Sequence, residues 1–150
     1  MVHVPDQLLW ELTRRNSSFL RKKNGQSKRS GAISFSTEPG NVKSLNLFQY
    51  SGLANSKVID VVCTDENRAQ LITKTASKAA TKPSKTYVRT NVNKDFRRSE
   101  KVILGQTADV FYRPDLKAAA LAKYTKVYQA NRRAKGITKP VLVKKGRSSR

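Results

Sequence analysis

The side chains suited to acid–base, nucleophilic or metal chemistry are scarce in these 150 residues. His3 is the only histidine, and Cys63 is the only cysteine, with no second thiol and no histidine near it in sequence. Asp and Glu number 10 and are scattered; only Asp65 and Glu66 adjoin. A structural zinc site needs several closely spaced Cys or His ligands, and an activated nucleophile needs a base beside it. Neither set can be assembled. No glycine-rich loop of the Walker or dinucleotide type occurs, and Gly25, Gly31, Gly40 and Gly52 fall at turn positions. The chain is therefore expected to have no catalytic residues, no cofactor, no metal and no small-molecule substrate.

The chemistry that does recur is cationic. Lys and Arg total 31, for a formal net charge of +21. Between residues 14 and 29 stand Arg14, Arg15, Arg21, Lys22, Lys23, Lys28 and Arg29 without one carboxylate. From Arg68 to Lys101 ten basic residues, among them Arg89, Lys94, Arg97 and Arg98, face only Asp95 and Glu100. After Asp115 the final 35 residues hold eleven basic residues and no acid, including Lys117, Lys126, Arg132, Arg133, Lys139, Lys144, Lys145 and Arg147. A solvated surface interleaves both signs; a chain that omits one sign over whole tracts needs counter-charge from a partner. Dense phosphates supply it, with condensed counterions released on binding and about 0.9 added to the salt slope per neutralised phosphate on B-DNA. Lysine suits point contact with phosphate, while arginine forks onto it or stacks on bases. Lys43 and Arg113 are further candidates for such contacts, and Tyr87, between Lys85 and Arg89, is the best candidate for base stacking. Asn16 and Asn93 suit hydrogen bonds to RNA and equally suit helix ends. An anionic membrane is the competing polyanion, but no apolar run approaches the ~20 residues of a span, so no membrane partner is expected. Cytosol or nucleus is the expected location.

These side chains must be positioned by a modest core, since hydrophobic residues make up 37% of the chain. Residues 5–16 read as a helix, with Pro5 at its start, an apolar stripe of Leu8, Leu9 and Leu12, and Trp10 at the edge of that stripe. Residues 17–63 read as short antiparallel strands: one from Ser18, a turn at Asn24-Gly25, strand residues Ile33 and Phe35, a turn at Glu38-Pro39-Gly40-Asn41, then Leu45 to Tyr50, and a strand from Val58 to Val62. A partner strand is expected around Leu71 and Ile72. Residues 73–86 are low in complexity and read as a linker or mobile loop, followed by an extended run from Tyr87 to Val92. Helices are expected over residues 94–108 and from Pro114 to about Gly136. The latter carries Leu116, Ala120, Tyr124 and Val127 on one side, with Lys117, Lys123, Lys126, Arg132 and Arg133 largely off it. The expected class is α+β: an N-terminal helix with antiparallel sheet over residues 1–74, a basic linker and extended segment over 75–93, helices over 94–136 and a basic tail over 137–150.

Six stretches in order carry a resemblance. They are Arg15-Asn16-Ser17-Ser18-Phe19-Leu20, Phe35-Ser36-Thr37-Glu38-Pro39, Phe48-Gln49-Tyr50-Ser51-Gly52-Leu53, Tyr87-Val88-Arg89-Thr90 with Asn93-Lys94, Tyr112-Arg113-Pro114-Asp115-Leu116, and Lys139-Pro140-Val141-Leu142-Val143-Lys144. Together, over residues 7 to 146, they resemble the eukaryote-specific large-subunit ribosomal protein family numbered twenty-eight. The resemblance implies a structural component of the cytosolic 60S subunit, assembled in the nucleus and nucleolus. Its implied partners are large-subunit rRNA and neighbouring ribosomal proteins. Two other readings stay open, a nucleolar assembly factor of the large subunit and a sequence-neutral DNA-packaging protein. An enzyme acting on RNA lacks any acid–base or metal set.

Overall fold

The computed structural model describes residues 4–24, 33–79 and 81–137, and of Lys22, Lys23 and Asn24 the backbone alone. Helix α1 (Asp6–Thr13) begins after Pro5, whose carbonyl accepts from the amides of Leu8 and Leu9 at 3.0 and 3.2 Å. Strands β1 (Leu20–Asn24) and β2 (Ile33–Ser36) form an antiparallel pair. Strands β3 (Ile59–Cys63), β4 (Ala69–Lys74) and β5 (Tyr87–Asn91) form a second antiparallel sheet in the order β3-β4-β5. A short helix α2 (Ala76–Ala79) lies between β4 and β5, and helices α3 (Phe96–Gln106) and α4 (Lys117–Ala134) follow. The mixture of helices with two small antiparallel sheets is the expected α+β class.

Alternation along the strands divides the second sheet into two faces. Ile59 and Val61 of β3, Ala69 and Leu71 of β4, and Val92 just past β5 join one buried cluster with Ile103 of α3, and with Leu116, Ala120 and Tyr124 on or beside α4. Phe96 stacks beside Tyr124 with ring centroids 5.9 Å apart, which ties α3 to α4. The opposite face carries Asp60, Gln70, Ile72 and Arg89, paired in register across the strands. One cluster thus unites residues from Val42 to Tyr124.

Polar side chains hold the loops onto this core. The buried Glu38 carboxylate accepts from Asn41 Nδ2 at 2.9 Å, Ser51 Oγ at 3.1 Å and the Leu53 amide at 3.3 Å. Gly40 within this turn has φ +83°, and a Cβ on Gly52 would collide with the Pro39 carbonyl. Only glycine permits such a backbone approach. The Tyr112 hydroxyl donates to the Lys74 carbonyl at 2.6 Å and accepts from the Lys74 and Val58 amides at 3.0 and 3.2 Å, clasping the start of β3 to the end of β4.

Three local expectations are revised. Leu8 and Leu12 of α1 are 51% and 61% exposed. The helix docks instead through Trp10, whose ring lies 6.1 Å from that of Phe48, and through Asp6, which accepts from the Ser56 amide at 3.0 Å. Residues 45–50 make one isolated bridge, Phe35 to Leu45, closed by the Ser36 amide on the Ser44 carbonyl and the Asn46 amide on the Ser34 carbonyl, and then a 3-10 turn over Phe48–Tyr50. Thr73 and Lys74 belong to β4, and the Thr75 amide donates to the Thr86 carbonyl at 2.9 Å. The stretch read as a linker is therefore the closed connection of a β4–β5 hairpin. The Asn24-Gly25 turn, Gly31, His3 and the tail beyond Ile137 lie outside the described residues.

Candidate nucleic-acid interface

The small number of carboxylates decides which cations stay free. Among the described residues, ion pairs join Arg14 to Glu11, Arg68 to Glu66, Arg98 to Asp95, Arg113 to Asp115, and Lys123 to Asp60. The Arg14 and Arg98 pairs are solvent-exposed, at 3.0 and 3.4 Å. Pairs of that kind contribute only ~0–1 kcal/mol, so an approaching phosphate can displace them. Arg15, Arg21, Arg89, Lys94, Arg97, Lys117, Lys126 and Arg133 are exposed and meet no carboxylate within 4.0 Å among the described residues.

These cations fall on distinct surfaces. Arg14, Arg15 and Arg21 cluster where α1 leads into β1, and the Arg14 carbonyl there accepts from Asn46 Nδ2 at 2.9 Å. Lys43 lies over the Tyr50 ring at 5.0 Å. Arg89 is exposed on the sheet face opposite the core cluster, while Lys94, Arg97 and Arg98 gather where β5 passes into α3. On α4, Lys126 and Arg133 are seven residues apart and share the outward side. The side chains of Lys22 and Lys23, and all of Lys28, Arg29, Lys139, Lys144, Lys145 and Arg147, lie outside the described residues.

Two basic residues point inward. Lys123, read from the sequence as off the apolar side of α4, pairs with buried Asp60 and also reaches the Asn41 carbonyl at 3.3 Å. Burial pushes the Asp60 carboxyl above its ordinary value, and the Lys123 ammonium opposes that rise. Lys74 sends its ammonium onto the carbonyls of Gly52 and Asn55 at 3.1 and 2.8 Å, and burial lowers its pKa. Both were legible as basic residues; what they pair with depends on contacts 63 and 19 to 22 residues away in sequence.

Arg113 and Tyr87 are also partly engaged within the fold. The Arg113 guanidinium donates to the Lys57 and Gln49 carbonyls at 2.9 and 2.7 Å and forks onto Asp115 at 2.9 and 2.8 Å. That fork holds the Asp115 carboxyl below the usual carboxylate range. Arg113 itself sits at φ +53°, left-handed backbone that a non-glycine residue adopts when its side chain is held. Tyr87 is half-buried, its hydroxyl 3.5 Å from the Pro39 carbonyl, and burial raises its pKa.

Tertiary structure also builds a cleft. Lys94 and Arg132, both expected to contact RNA, meet Arg68 and Lys135 around a space of about 420 Å³ between the β4–β5 end of the sheet and α4, walled by Tyr128 and Asn131. Sequence reading did not single out Arg68, Lys135 or Asn131. They come from segments that only strand pairing and helix packing bring together; their membership of basic tracts was the sole signal. Among the described residues, no group of three or more His, Cys, Asp or Glu is placed to hold a metal, and no helix is long and apolar enough to cross a membrane.

With the basic surfaces in place, comparison with known proteins gives them a context. The sequence profile of the ribosomal L28e protein family matches residues 8–130. The chain belongs to the ribosomal L28e protein family. It is 33% identical over 135 residues to the large ribosomal subunit protein eL28 of Schizosaccharomyces pombe, covering 89% of this chain and 98% of that one. Against large ribosomal subunit protein eL28 of Dictyostelium discoideum it is 31% identical over 135 residues, with 88% and 92% covered. A third eL28, from Caenorhabditis elegans, is 48% identical over 58 residues, 39% of this chain and 42% of that one. Members of this family are structural ribosomal components, so this L28e-family chain is not an enzyme. The resemblance read from six short motifs is thereby established over most of the chain.

Proposed function

We propose that the chain is a structural constituent of the large ribosomal subunit, holding rRNA through exposed cations spread over several surfaces of a small folded body and contacting neighbouring ribosomal proteins. Membership of a ribosomal protein family supports the placement, as do relatives named as large-subunit proteins over nearly their whole length. The observation that carries the RNA reading is the set of exposed Lys and Arg on α1–β1, β5–α3 and α4 that have no carboxylate partner among the described residues. Phosphate contacts position a protein without reading sequence, which suits a component fixed at one place by many such contacts. In this reading Arg15, Arg21, Arg89, Lys94, Arg97, Lys117, Lys126 and Arg133 meet phosphates directly, Arg14 and Arg98 exchange exposed carboxylates for phosphate, and Arg113 braces the loop that precedes α4. The cations Lys22, Lys23, Lys28, Arg29, Lys139, Lys144, Lys145 and Arg147 extend the same contacts. Tyr87, half-buried, contributes the exposed part of its ring. The chain works in the cytoplasm after assembly in the nucleolus.

Nuclease treatment of a cell extract tests this. RNase digestion is expected to release the chain from its bound state and DNase to leave it bound. Release by DNase alone would replace this reading with DNA packaging.

A further inference from the structure

The cleft between the sheet and α4 has features that simple phosphate neutralisation does not need. Its volume of about 420 Å³ lies in the ~300–1,000 Å³ range of sites that enclose a small ligand. Lys94 and Lys135 supply positive charge, as does Arg68, whose exposed pair with Glu66 an approaching phosphate can displace, and none of the lining residues is Asp or Glu. On its α4 side stands Tyr128, with the Arg132 guanidinium 5.9 Å from the ring centre. The guanidinium lies over one face of the ring, and the pair lines the cleft as a flat platform on which a base can stack.

Asn131 adds a second, independent feature. It lines the cleft and is only 8% exposed. One atom of its side-chain amide is bonded to Cys63 Sγ at 3.0 Å. The other, Nδ2, has no hydrogen-bond partner among the described residues. A buried amide left half-satisfied is costly, and its remaining N–H donor suits an acceptor on a base edge.

Resting on the RNA reading above, we propose that this cleft receives a single unpaired nucleotide of the bound RNA. Its base stacks on Tyr128 and Arg132, its edge meets Asn131, and its phosphates are held by Lys94, Arg68 and Lys135. A paired base cannot enter, because its edge is occupied and its faces are stacked in the helix. An acidic side chain from a neighbouring protein would use the cations but leave the aromatic wall and the amide idle.

The test uses the full chain and two RNA probes, a duplex with one bulged uridine and the same duplex fully paired, with binding read by fluorescence anisotropy. The unaltered chain is expected to prefer the bulged probe by about tenfold, a stacking-sized effect. Tyr128→Leu keeps an apolar side chain and should abolish that preference while leaving affinity for the paired probe unchanged. In parallel, 4-thiouridine placed at the bulge should photo-crosslink to the α4 peptide that contains Tyr128. Crosslinking confined to other peptides overturns the proposal even if Tyr128→Leu misfolds. Equal affinity of the unaltered chain for the two probes also overturns it and leaves the RNA reading standing, as does a preference that survives in folded Tyr128→Leu. Failure to bind either probe overturns the RNA reading itself.

Discussion

Lys123 and Asp60 show how a basic chain uses one of its few acids inside the fold. Asp60 is 4% exposed on the edge strand β3, where desolvation disfavours its charged form and Lys123 offsets part of that penalty. Truncating one partner of a buried pair leaves the other charge uncompensated, at a cost of ~3–5 kcal/mol. The Lys123 side chain keeps 25% exposure, so Lys123→Met is expected at the lower end, about 3 kcal/mol, read by urea unfolding. Adding Asp60→Asn should recover part of that loss. If Lys123→Met unfolds at the same urea concentration as the parent, the pair is not holding α4 to the sheet. By contrast, Lys126 and Arg133 on the outward side of the same helix have no carboxylate partner among the described residues and remain available to phosphate.

At the scale of elements, the loop before α4 is a device for fixing where that helix starts. Arg113 in left-handed backbone ties Asp115, Gln49 and Lys57 together, and Tyr112 beside it clasps β3 to β4. Asp115 provides the pH signature of this arrangement. Its folded pKa is depressed by Arg113, so the unfolded chain binds the proton first as pH falls below about 4. Stability should therefore drop as pH falls from about 4 through the lower folded value, and be fully present above it. Thermal unfolding at pH 5 and pH 3 checks this: Asp115→Asn should lose less between the two than the parent chain. An identical loss in both would remove the Arg113–Asp115 fork from the account. Much of this level was readable in advance. Proline at position 5, alternating apolar residues in β3 and β4 and the 3.6-residue spacing of α4 each announce their element locally. Whereas periodicity marks an apolar stripe, it does not say what the stripe meets, so it put Leu8 and Leu12 in the stripe and Trp10 at its edge, though Trp10 is the residue that docks. The β4–β5 connection looked like a linker because its lysines, threonines and serines have no packing signal; its closure depends on pairing between Lys74 and Tyr87. For the candidate interface, the cations were legible one by one. The cleft was not, since its walls come from residues 67–69, 92–94 and 124–137.

For the molecule as a whole, the governing quantity is the net charge of +21 on 150 residues. Five described ion pairs and the buried Glu38 occupy more than half of the 10 carboxylates, so little negative charge remains to balance the outer surface. Such a body repels itself unless a polyanion neutralises it, and the L28e-family match places it in a ribosomal protein family. Under the proposed function the sheet–helix core serves to hold the basic surfaces at α1–β1, β5–α3 and α4 in fixed relative positions. The most direct measurement is gradient sedimentation of cell extract, following this chain and large-subunit rRNA fraction by fraction. The account predicts that the chain travels with the 60S particles and the ribosomes that contain them. Finding it chiefly in the light fractions, apart from that rRNA, would contradict the account.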